Sequence, residues 1–303
     1  MNNFNNKEYK CLVTDLIGDA FYTETSFRGK ISTIRQYAEV IVRKLLDIEP
    51  SKYLTLGQKD IHSKIKNLSN HEYIESAINI IRGKGNSCTH TQYLDNLSLE
   101  DFENIVDSLF DMLSFNLINY FEKYEFGSRD DVVFSFSLLP PIIRYKVLNF
   151  LYQKNPFNIS VIDKLVLAIV KAFSISEATK WVEERKDTLR KMRTISESAF
   201  NEMLKTVGME IAMDIKMRLP SNMYHLCKEK ISQIGVSIDI KGRLYSDFES
   251  ALPYYKAKGI LNNDNPETKE FNDIMEFLYL GRKEKLREVS IDSNPYIIMN
   301  FIS

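Results

Sequence analysis

Ile81-Arg82-Gly83-Lys84-Gly85-Asn86-Ser87-Cys88-Thr89-His90 is the stretch on which the reading of this chain turns. A helical pattern runs into it, two glycines interrupt it, and it closes on one of the four histidines. Glycine reaches left-handed backbone angles without a Cβ penalty, so Gly83 and Gly85 predict a helix end and a loop. Arg82, Lys84, Asn86, Ser87 and Thr89 bring phosphate-binding groups beside a titratable base, His90. The expectation is a loop that cuts or grips RNA.

The flanking sequence is helical. Upstream, residues 32–47 repeat Ile34, Tyr37, Ala38, Ile41, Leu45 and Leu46 at three- and four-residue spacing, with Ser32 or Thr33 as N-cap and Glu49-Pro50 as the stop. Residues 56–68 use Ile61, Ile65 and Leu68, and residues 72–82 use Tyr73, Ala77, Ile78, Ile80 and Ile81. Downstream, Ser98-Leu99-Glu100-Asp101 reads as a capping box opening a long helix over 99–124, with Phe102, Ile105, Leu109, Leu113 and Leu117 in its stripe. Four helices with short links predict a bundle over 31–126, preceded by an N-terminal extension, 1–30, holding a short helix and a loop.

Residues 125–131, with Gly127, Ser128 and two aspartates, predict a boundary. Beyond it a mostly helical C-terminal domain is expected over 132–303. Residues 132–139 alternate as a short strand does, and read equally as the first turns of a helix cut by Pro140-Pro141. Helices are predicted at 142–153, 160–173, 176–191, 196–218 and 221–233. Val236, Ile238 and Ile240 alternate before Lys241-Gly242, predicting a strand and turn over 236–245. Helical patterns resume at 247–258, interrupted by Pro253, then at 266–280 and 282–289. The predicted class is mainly α.

Composition narrows the function. Hydrophobic content of 44% and charged content of 27% are those of a globular protein, and a net charge of −1 excludes a globally basic nucleic-acid coat. Acidic side chains outnumber basic ones up to residue 130, and the balance reverses after it. Cys11, Cys88 and Cys227 form no CxxC pair, which argues against a disulfide framework or a zinc knuckle and points to a reducing cytoplasm. The polar N-terminus carries no apolar signal core, and the apolar run near 161–173 is interrupted by Asp163, Lys164 and Lys171, so no membrane association is expected.

The chemistry of residues 81–90 needs no metal and no cofactor. A guanidinium binds phosphate oxygens through a planar fork at any working pH. An imidazole takes a proton from a 2′-hydroxyl or gives one to a leaving 5′-oxygen. Asn86 orients the histidine or donates to the phosphate, and Lys84 adds charge. The same residues also read as a plain helix cap and turn. No Walker sequence occurs, and the Gly83-Lys84-Gly85 run follows a helix where a dinucleotide motif would follow a strand.

On these residues the chain resembles the HEPN superfamily of helical bundles, in the branch found in restriction-enzyme subunits and prokaryotic defence proteins. Ile34 to Leu46 looks like that branch's first helix, Leu56-Gly57 with Ile61, Ile65 and Leu68 like its second segment, and Ile81-Arg82, Gly85-Asn86 and His90 like its Arg…Gly-Asn…His signature. The likeness covers about residues 26–125. The Arg82–His90 spacing is longer than the family's usual one, and a glycine follows the arginine. The resemblance implies a homodimer or higher oligomer with composite Arg/His grooves. It implies a metal-independent endoribonuclease of an anti-phage system, abortive-infection or toxin type, with Arg82, Asn86 and His90 catalytic. The alternative it implies is a non-catalytic module that binds nucleic acid or a partner protein within a defence complex.

Other features carry smaller expectations. Lys186, Arg190 and Arg193 fall at helical spacing and read either as an RNA-backbone track or as a solvated face neutralised by Glu183, Glu184 and Asp187. His62 and His71 lack metal-ligand spacing, and His225 and Cys227 point to different faces of a helix. Trp181 is expected in a core or interface. Met203, Met209, Met213 and Met217 read either as core gap-filling, the expectation adopted, or as an adaptable partner surface.

Overall fold

The computed structural model describes residues 4–89, 94 and 96–285. The fold is mainly α, and among the described residues no strand occurs. In chain order the helices are α1 (Asn6–Ile17), α2 (Phe27–Leu45), α3 (Lys59–Lys66), α4 (His71–Thr89), α5 (Leu99–Lys123), α6 (Asp130–Phe136), α7 (Pro141–Lys154) and α8 (Ile159–Ala172). They continue as α9 (Ile175–Glu184), α10 (Lys186–Lys191), α11 (Glu197–Val207), α12 (Met209–Arg218), α13 (Met223–Lys241), α14 (Phe248–Tyr254) and α15 (Pro266–Leu278). Wider π turns extend α1 over Gly18–Tyr22 and α14 over Tyr255–Gly259. The described chain forms two compact units, one of residues 4–139 together with 248–285, the other of residues 140–247.

The first unit is built on α2, α4 and α5, which pack on one another, with α1 against α2, α3 against α4 and α15 against α5. Ser26 accepts from the Gly29 amide and starts α2 five residues ahead of Ser32. The short helix predicted before residue 30 is α1, which buries Tyr9, Val13, Leu16 and Ile17. Ser98 and Asp101 cap α5 reciprocally, as its sequence predicts. The core is the facing stripes, among them Ile34, Ile41, Ile74, Ile78, Ile105, Leu109 and Leu113, each worth about 1.5–3 kcal/mol on burial. The predicted boundary at 125–131 lies inside this unit. Residues 248–285 return to it, anchored by Lys44 of α2 on Asp273 at 2.7 Å and by Phe277 against Phe4, while Arg282 and Glu249 pair at 3.0 Å within the returning segment.

The second unit places α8 at its centre, against α7, α9 and α13, while α11 and α12 pack on each other. Residues 132–139 open as helix α6, the second of their two readings. Residues 236–241, predicted as a strand, are the last turns of α13. The buried Tyr224, Cys227, Ile231 and Ile234 follow helical spacing and carry the helix on to Gly242, whose φ of 70° ends it. The predicted helices at 176–191 and 196–218 are each split, the second at Gly208, where φ is 82°. Met209, Met213 and Met217 are exposed, by 67%, 41% and 75%, so these three do not fill a core. Residues 282–285 are not helical, and the rest of the predicted 282–289 helix lies outside the described residues.

Candidate functional site

Helix α4 does not stop at Gly83. It continues to Thr89, so residues 81–89 are a helix and not the loop their glycines predict. Two local causes hold it. Gly85 lies on the buried stripe with Ile74, Ala77, Ile78 and Ile81, and a Cβ there would sit 2.6 Å from Arg35 Cδ and 3.1 Å from Arg35 Cβ. The glycine thus lets the arginine stem of α2 lie against the helix. At the C-terminal end Arg28 donates to the Ser87 carbonyl at 2.6 Å and the Cys88 carbonyl at 3.5 Å, answering carbonyls that have no intrahelical donor. Gly83 faces open space.

Arg82 reaches back to α3. Its Nη1 lies 2.8 Å from His62 Nε2, and His62 Nδ1 lies 3.9 Å from Glu75 Oε1. A guanidinium keeps its protons, so Arg82 donates and His62 Nε2 accepts. The ring proton then sits on Nδ1, facing the Glu75 carboxylate. Both His62 and Arg82 are part-exposed, so the pair borders solvent. Asn86 follows Arg82 by one helical turn on the same side and is also part-buried.

His90, expected as the catalytic histidine, lies outside the described residues. Lys84, expected to meet RNA, pairs with Asp101 at 2.6 Å, and this contact holds the Asp101 carboxyl down at about 2. The two border a groove of about 310 Å³ between α4 and α5, lined also by Ile80, Asn104, Asp107 and Asp111. Tyr73 donates to Asp111 at 2.7 Å. Lys186, Arg190 and Arg193 belong to the second unit. Lys186 Nζ and the Arg190 guanidinium sit 5.7 and 5.1 Å from the Tyr224 ring centre, and Arg193 is exposed. Glu183 accepts from Tyr224 Oη and Lys228 beside them.

Burial raises the Cys88 thiol, against the pull of Arg28, and pushes Cys227 up to about 12. Neither cysteine is set up as a thiolate nucleophile. Among the described residues no group of three or more His, Cys, Asp or Glu side chains is placed to hold a metal ion, and no helix is long and apolar enough to cross a membrane. Sequence reasoning passed over His62 as a partner of Arg82. The available signal was that each directly follows an apolar stripe residue, Ile61 or Ile81, and so borders its helix's buried face. Comparison with protein-family models, curated proteins and solved structures finds no match to this chain.

Proposed function

We propose that the first unit is a metal-independent endoribonuclease that cleaves RNA through 2′-hydroxyl attack. The observation that carries this reading is the Arg82–His62 contact at 2.8 Å with Glu75 behind the ring. An incoming phosphodiester competes for the Arg82 guanidinium, and drawing it away frees His62 Nε2 to accept a proton. His62 then takes the proton of the 2′-hydroxyl, whose oxygen attacks phosphorus. The 5′-oxygen leaves with a proton, and a 2′,3′-cyclic phosphate remains. Arg82 steadies the charge that builds on the phosphoryl oxygens, Asn86 donates to the same group, and Glu75 holds the imidazolium. His90 is the proposed donor to the leaving oxygen, the role that the HEPN resemblance implies for it. That resemblance also supports a homodimer and a place in a cytoplasmic anti-phage system of abortive-infection or toxin type.

The test is incubation of the full chain with labelled RNA in EDTA. Cleavage is expected, with Arg82→Ala and His62→Ala each lowering its rate by about 100-fold or more. Cleavage that survives Arg82→Ala overturns the reading. A second reading, a non-catalytic module, draws on Lys84 being engaged by Asp101 beside Asp107 and Asp111. A carboxylate-lined groove suits a basic segment of a partner protein better than a phosphate backbone. Its signature is capture of a basic partner, weakened by Asp107→Asn with Asp111→Asn, in a chain that leaves RNA intact.

A further inference from the structure

The second unit gathers cationic side chains around α8, Arg144 and Lys230 buried and Lys164 and Lys171 part-exposed. Lys164 and Lys171 are seven residues apart, two turns of α8, and so share one side of it. Arg144 of α7 is 5% exposed, and its guanidinium lies 5.8 Å from the Tyr245 ring centre. Its Nε and Nη2 are buried without a hydrogen-bond partner among the described residues. Those two nitrogens form one edge of the guanidinium, the edge that grips an oxyanion with two parallel N–H donors. The carboxylate of this cluster is Asp163, 2% exposed. One of its oxygens is taken by Lys230 of α13, and the other lies 3.7 Å from Lys164 without a hydrogen bond.

Lys164 and Lys230 thus share one carboxylate, with Arg144 and Lys171 beside Lys164, and burial and repulsion both act on Lys164 and Lys171. Burial lowers Lys171 well below its ordinary range, and Arg144 and Lys164 push it further down. Burial also lowers Lys164, with Asp163 opposing and Lys230 and Arg144 adding to the fall. A buried charge without a counter-charge costs several kcal/mol, and folded proteins avoid it by pairing. An arrangement that gathers such charges beside a guanidinium edge with unmet donors gains stability from a dianion.

We propose that Arg144, Lys164 and Lys171 form a binding site for the phosphate group of a small phosphorylated molecule. Arg144 supplies the two-pronged edge, and the two ammonium groups balance the dianion's charge. Asp163 and Lys230 hold the far side of the cluster and are not spent on the ligand. The site lies wholly in the second unit and does not depend on the nuclease reading.

Calorimetric titration of the full chain with inorganic phosphate and with a nucleoside 5′-diphosphate, at constant ionic strength against chloride, tests this. Saturable binding of either anion is expected, and the arm that binds more tightly tells free phosphate from a phosphoryl group on a larger molecule. Lys171→Gln is expected to raise the melting temperature of the protein alone and to weaken anion binding about tenfold or more. Two results overturn the proposal: neither anion binding beyond chloride, or Lys171→Gln binding as tightly as the wild type.

Discussion

Each unit buries an arginine, and the surroundings of the two differ in charge. Arg282 is held at 3.0 Å from Glu249, with side-chain exposures of 4% and 7%, and lies 4.4 Å from the Phe248 ring centre. Tyr37 is buried beside it, its hydroxyl raised by burial and drawn down by Arg282. Arg144 has Lys164 and Lys171 for neighbours. Both arginines leave Nε and Nη2 without a hydrogen bond among the described residues, so unmet donors alone do not tell them apart. Charge balance does. A guanidinium with its carboxylate is neutralised inside the core, whereas a guanidinium among ammonium groups is arranged for an anion from outside.

The strongest way to break that comparison is to remove the counter-charge. Glu249→Gln should cost about 3–5 kcal/mol in urea unfolding, because it strands Arg282 in the first unit's interior. Lys171→Gln should act in the opposite direction in the second unit. If both substitutions destabilise, the two sites are alike and the distinction fails. The two glycines of α4 sharpen the picture of a first unit ruled by close packing. Gly85→Ala should cost about 1–3 kcal/mol, since its Cβ must displace the Arg35 stem, while Gly83→Ala should gain about 1 kcal/mol in a helix that is open there. Thermal melts of the pair give opposite signs.

Smaller effects follow from the thiols and one carboxylate. Cys227, buried and pushed up to about 12, should stay silent to a thiol reagent at pH 8 until the second unit opens, while exposed Cys11 reacts at once. Mass spectrometry of partly labelled protein reads the order. In the first unit Asp101 titrates at about 2, below an unfolded value near 3.9. Its contribution is present above that unfolded value and is lost as pH falls toward 2. Lys84→Ala should flatten this part of the acid-unfolding curve, with a small amplitude because the pair is exposed.

The sequence made α5 legible almost to the residue, because Ser98 and Asp101 act locally and a long apolar stripe follows them. The end of α4 was not legible. Two glycines predict a stop, but the decisive facts are tertiary: the Arg35 stem against Gly85, and Arg28 on the last carbonyls. Alternation at Val236, Ile238 and Ile240 imitated a strand, although Val236 and Ile240 are exposed by 56% and 75% and the helix is carried by the buried residues before them. At the candidate site, Arg82 and Asn86 were legible by residue type, and their spacing of four puts them on one side of α4. His62 was not, because it comes from α3, twenty positions earlier, and only the packing of α3 on α4 brings it to Arg82.

The most direct test of the proposed activity is the chemical identity of the 3′ ends on RNA fragments released by the full chain in EDTA. Attack by the 2′-hydroxyl predicts 2′,3′-cyclic phosphate ends that are absent when Arg82→Ala replaces the wild type. Fragments ending in 3′-hydroxyl groups, or cyclic ends formed equally by Arg82→Ala, would contradict it.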